Sequence, residues 1–146
     1  MKGEGIMQPQ QIAKGELLGE FRGKAVSTTI KEVTPFGMRL EQNIQGEFVG
    51  AKYSARQTQT TDLFQRIDGT YEYETKIFEQ TNEGDFVLAV THGTGKMTGP
   101  TTHKGEGEIV HMAQSPKFAW LNNLKCRVEM TGDASTGEIS GKVFTL

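Results

Sequence analysis

The chain has 146 residues, the length of one domain, and carries 16 Lys and Arg against 18 Asp and Glu for a formal net charge of −2. Charges of both signs are interspersed, which excludes a nucleic-acid surface built on a basic excess. No segment approaches the length and hydropathy of a transmembrane helix, so no membrane partner is expected.

Hydrophobic residues make up 35% of the sequence, below the globular average. Much of the chain should therefore be half-exposed, as in a sheet with one wet face. The 18 glycines are spread throughout and prolines number 4, which speaks against a helical bundle. Residues 1–15 read as an N-terminal extension, with Met7 an alternative start, and residues 16–146 as a single domain. The extension has no apolar run long enough for a signal peptide. Cys126 is the single cysteine, so no internal disulfide forms, in keeping with a reducing compartment. A cytoplasmic location is the expectation.

Residues from Glu16 to Val33 read as one long strand, or two broken near Gly23. "TPFG" turns the chain. Met38, Leu40, Ile44 and Phe48 then share one parity, with Gln42 among them. Val49, Ala51, Tyr53 and Ala55 mark the next face and continue in phase to Gln57 and Gln59, with a bend expected at Gly46 or Gly50. Asp68-Gly69 is a strong hairpin signal. Beyond it Tyr71, Tyr73, Thr75 and Ile77 alternate with Glu72, Glu74 and Lys76. After the "TNEGD" turn, Phe86, Leu88 and Val90 lie on one face and Val87 and Ala89 on the other, as in a central strand. "HKGEGEIVHMAQ" is extended again. "SPKFAWLNNL" is the one helix-like piece, with Pro116 suited to a first turn after a Ser115 cap. Its Trp120, Phe118 and Leu121 should plug one barrel end or pack outside it. "LKCRVEMTGD" and "GEISGKVFTL" form a final hairpin. These are about eight strands with no recurring crossover helix, so the fold class is all-β: an eight-stranded antiparallel barrel with one short helical segment near its C-terminal part.

The stretch "THGTGKMTGPTTHKGEGEIVHM" raises the question of chemistry. Gly93, Gly95 and Gly99 miss the spacing of the dinucleotide fingerprint, and "GTGK" followed by Met97 misses the phosphate loop. Glycine here relieves crowding where a strand coils tightly. His103 and His111 share a face but lie about 26 Å apart on an extended strand, and His92 has no ligand-spaced partner. No metal and no cofactor are expected.

A ligand pocket is a different matter. His92 is in phase with Phe86, Leu88 and Val90; His111 is in phase with Ile109 and Ala113. Gln42, Gln57, Tyr53, Tyr71 and Tyr73 sit on the otherwise apolar parity of their strands. Facing a lumen, these groups would be polar anchors in an apolar wall, the usual makeup of a small-ligand pocket; alternatively each is a core polar group satisfied by backbone or water. Among them His92 and His111 are the candidates for proton transfer. Cys126 alternates with Leu124, Val128 and Met130 and reads as a core residue.

"GDFVLAVTHGTGKMTGPTTHKGEGEI", "SPKFAWLNNL" and "GDASTGEISGKVF" together resemble small bacterial proteins of unknown function. Those are associated with the allene-oxide-cyclase-like β-barrel class and, more distantly, with lipocalin-type barrels. The resemblance implies a barrel holding a small apolar molecule. None of the cyclases' catalytic residues matches a position here, so none is carried over, and fold alone does not fix function. The expected function is binding of a small hydrophobic ligand. The rivals are a cofactor-free cyclase or isomerase using the same cavity, and a filled barrel acting as a structural or interaction module. Self-association into a homo-oligomer is compatible with each.

Overall fold

The structure, a computed structural model, describes residues 15–146. Eight strands run in order: β1 (Leu17–Thr34), β2 (Gly37–Gly50), β3 (Ser54–Arg66), β4 (Thr70–Gln80), β5 (Phe86–Met97), β6 (Thr102–Ala113), β7 (Cys126–Asp133) and β8 (Glu138–Thr145), with a 3₁₀ helix at Pro116–Asn123. Each strand pairs antiparallel with the next, and β8 pairs with β1 to close the barrel. Short turns permit only this meander, and closure removes most free edges. The exception is the second half of β1. Its pairing with β8 ends at Lys24↔Glu138, whereas its pairing with β2 runs on to Thr34↔Gly37 with register shifts after Ala25 and Ile30.

Turn chemistry sets the register as the sequence predicts at Asp68-Gly69. Gly69 has φ +91° and its N–H donates to the Arg66 carbonyl, while Asp68 Oδ1 accepts from the Thr70 N–H. Further back, the chain bends at residues 51–53 rather than at Gly46 or Gly50. Val49 consequently ends β2 facing out, and Ala51 is exposed. Gly46 and Gly50 lie within the strand, where the Arg22 and Leu18 carbonyls approach too closely to leave room for a side chain.

Alternation fills the interior. Phe21, Leu40, Ile44, Phe48, Ala55, Ile77, Val87, Ala89, Ile109, Cys126 and Val143 are buried and form the inner wall. The 3₁₀ helix plugs one end, with Phe118 and Leu121 buried against Leu18, Phe48 and Tyr53. Asn122 fastens it by accepting from the Ala113 N–H and donating to the Ala113 carbonyl. Ser115 precedes the helix, as predicted, but makes no side-chain cap; the Phe118 N–H takes its carbonyl instead.

One face is reversed from the sequence expectation. Val87, Ala89 and Thr91 point inward on β5, while Phe86 and Leu88 are about two-fifths exposed. The larger apolar set lies outside because the inner wall here must stay thin. β5 faces a lumen already occupied by tyrosine rings from β4.

Candidate functional site

Two rows of glycine explain the "GTG" and "GEG" segments. The register aligns Tyr71 with Gly95 and Gly105, and Tyr73 with Gly93 and Gly107. A Cβ on Gly105 would lie 2.8 Å from the Tyr71 hydroxyl, and one on Gly107 2.8 Å from the Tyr73 hydroxyl. Both phenol rings thus lie flat along the wall from β4 across β5 to β6, in slots only glycine leaves open.

At the end opposite the 3₁₀ plug, Tyr71 meets His103. The Tyr71 hydroxyl is 3.0 Å from His103 Nδ1, and the rings stand edge to face with centroids 5.6 Å apart. Burial lowers the His103 pKa, with the Asp133 carboxylate pulling the other way, and burial pushes Tyr71 up to about 12. A neutral imidazole therefore faces a protonated phenol.

Deeper in the barrel lies a polar chain. Glu79 is 1% exposed. Its Oε1 accepts from the Tyr53 hydroxyl at 2.7 Å, and its Oε2 accepts from Gln57 Nε2. Gln57 Oε1 in turn accepts from Gln59 Nε2 at 2.6 Å. No cation is among these contacts. Desolvation raises the Glu79 pKa against the two hydrogen bonds it accepts, and burial, then Glu79, raises that of Tyr53. Glu79 was passed over in sequence because Glu72 and Glu74 mark the wet face of the same strand. The signal was present: Glu79 shares parity with Tyr71, Tyr73, Thr75 and Ile77, whereas Glu72 and Glu74 do not.

Besides an outer-face cavity of about 610 Å³ beside His92, Glu74 and Arg66, two cavities lie along the barrel interior and its rim. A small one of about 60 Å³ is walled by apolar side chains such as Phe21, Ile109 and Val128, with Gln57, Gln59, Tyr73, Thr75 and Thr91 among them. A larger, open one of about 730 Å³ sits at the rim beside His103, Arg22, Lys104 and Asp133. Ile139 lines both.

The chain shares its barrel with proteins of unknown function. It is similar to a protein of unknown function from Clostridium acetobutylicum, with a TM-score of 0.81 and 12% identity, over 92% of this chain and 99% of that one. A β-barrel-like protein from Acinetobacter baumannii matches with a TM-score of 0.79 and 16% identity, over 90% and 94% of the two chains. An enzyme from Penicillium herquei matches with a TM-score of 0.61 and 15% identity, over 92% and 97%. No family model matches the chain, and no curated protein does. At such identities the shared property is the fold.

The structure distributes the predicted site residues unevenly. Gln57 and Tyr73 line the small cavity. Tyr71 and Tyr53 point inward at opposite ends, the first on His103 and the second against Phe48 and Phe118. His111 is buried, its Nδ1 unpartnered, and burial drops its pKa to about 4. Gln42 is half-buried and donates to Thr28 Oγ1 at the β1–β2 ribbon, away from both cavities. His92 is the correction. Its side chain is 68% exposed on the outer face, 3.4 Å from the Glu74 carboxylate. It follows Phe86 and Leu88 in parity, and that face is the outside one. His103, near the start of β6, is the histidine that reaches the rim cavity. Among the described residues no group of three His, Cys, Asp or Glu converges as a metal site would, and no helix is long and apolar enough to cross a membrane.

Proposed function

We propose that this protein binds a small, largely apolar molecule that enters beside His103 and inserts one polar end into the central cavity. The observation that carries the reading is that the rim cavity and the central cavity share Ile139 in their walls. The outer has ligand dimensions, and the inner offers a few polar groups in an apolar wall. A membership of the allene-oxide-cyclase-like class, and a distant kinship with lipocalin-type barrels, would fit such a role. The test is a titration with small hydrophobic probes followed through the histidine ring resonances. His103 should shift saturably and His92 should not, and Ile139→Trp should weaken binding. No saturable response at His103, or an equal response at His92, would overturn the reading.

A second reading is a cofactor-free cyclase or isomerase. The Tyr71–His103 pair favours it, because a neutral imidazole hydrogen-bonded to a phenol at a cavity mouth can take and return a proton. The enzyme from Penicillium herquei shows that at least one protein of this fold does chemistry. Under this reading His103, rather than His92 or His111, carries the proton. His103→Gln would then abolish turnover of a bound substrate while leaving binding intact; loss of both together would leave a carrier.

A further inference from the structure

The donors and acceptors along the Tyr53–Glu79–Gln57–Gln59 chain all point one way. An amide has a donor end and an acceptor end. With Gln57 Nε2 committed to Glu79, only its Oε1 faces Gln59. Gln59 must answer with its Nε2, so its own Oε1 is left over. Among the described residues no protein group donates to that oxygen. With Glu79 as a carboxylate, which only accepts, reversing either amide would set two oxygens, or two NH₂ groups, against each other. Both glutamines line the central cavity, whereas Glu79 lies behind them and does not touch it.

We infer that Glu79, acting through Gln57, turns the Gln59 carbonyl oxygen into the acceptor of a subsite for a neutral hydrogen-bond donor, an aliphatic or aromatic hydroxyl. This inference rests on the binding reading above and names the ligand's polar end. A charged ammonium does not suit the subsite, because the cavity wall holds no anion. At Gln59 Oε1 itself a carbonyl or ether oxygen would meet another oxygen. The cavity of about 60 Å³ has room for about two heavy atoms at the volume of liquid water, which matches a hydroxyl and the carbon bearing it. The rest of the ligand would run past Ile139 into the outer cavity. Glu79 is a positioning residue in this scheme: it never meets the ligand.

The test compares 1-hexanol with hexanal, equal in length and differing in whether the head donates. Titration of the whole chain should show the alcohol binding about tenfold tighter, the cost of facing the Gln59 acceptor with another acceptor. Gln59 side-chain amide resonances should shift with the alcohol. Gln59→Leu should erase the preference. Glu79→Leu, which frees both amides to turn, should also erase it, and Glu79→Gln, whose NH₂ can donate to Gln57 Oε1 while its carbonyl keeps the Tyr53 hydroxyl and so turns both amides, should reduce it. Should either leucine variant fail to fold, the wild-type ratio and the Glu79→Gln ratio still decide. Equal affinity for both probes in the wild type, or a preference that survives Gln59→Leu, would overturn this inference and leave the binding reading standing. Failure of both probes to bind would overturn the binding reading and this inference with it.

Discussion

Replacing His111 by Leu should flatten the acid side of the stability profile. His111 is 5% exposed and its Nδ1 has no partner, so nothing nearby repays the desolvation of an imidazolium. Its pKa falls from the ordinary 6.5 to about 4 in the folded protein. Between those values the unfolded chain binds a proton that the folded chain refuses, so stability rises with pH across that window. The stabilisation is complete above pH 6.5 and is lost as pH falls toward 4. At about 1.4 kcal/mol per pH unit the loss is about 3 kcal/mol. Glu79 works in the opposite sense. Its raised pKa contributes stability that is fully present below the ordinary carboxyl value and is lost as pH rises through the folded value. Urea melts at half-unit intervals from pH 4 to pH 8, on wild type and His111→Leu, isolate the histidine contribution as the difference between the two profiles. That difference should grow by about 3 kcal/mol as pH falls from 7 to 4. Parallel profiles would mean that the imidazole is solvated or partnered, and that the barrel end it occupies is not packed as described.

Gly105→Ala should destabilise by about 1–2 kcal/mol through its clash with the Tyr71 hydroxyl and its tight approach to the Thr94 carbonyl; in the Tyr71→Phe background the hydroxyl's share of that cost should vanish, and a double-mutant cycle showing no coupling would refute the ring-slot account. Gly69→Val should cost about 1 kcal/mol or more, because φ +91° is strained for a branched residue; an unchanged denaturant midpoint would contradict the turn. Leu121→Ala, at a fully buried plug position, should cost about 2–5 kcal/mol, and a cost under about 0.5 kcal/mol would show that the 3₁₀ helix does not seal that end.

The fold was legible because its signals are local. Tyr71, Tyr73, Thr75 and Ile77 alternate with charges, so their inner face could be read directly, and Asp68-Gly69 fixed the preceding turn. The strand β5 was harder. Both its faces are apolar, and hydrophobic weight favours Phe86 and Leu88 over Val87 and Ala89. The deciding fact is non-local: the tyrosine rings of β4 need thin neighbours, and the glycines of β5 and β6 provide them. Choosing the wrong face carried His92 inward. The hydrogen-bonded chain through Glu79 was hidden for a related reason. A lone glutamate among wet glutamates reads as surface until parity is followed one residue at a time. Cavity dimensions lie beyond sequence altogether, since Ile139 joins the walls of both cavities only once β8 has closed against β1.

The central claim is that the lumen and its mouth form one ligand site. A crystal structure of the protein purified directly from its native cells tests it most directly. The account predicts continuous non-protein density running from the His103 rim past Ile139, with its polar end within hydrogen-bond distance of Gln59 Oε1. Ordered water alone in the central cavity, with the rim open to bulk solvent, would contradict it.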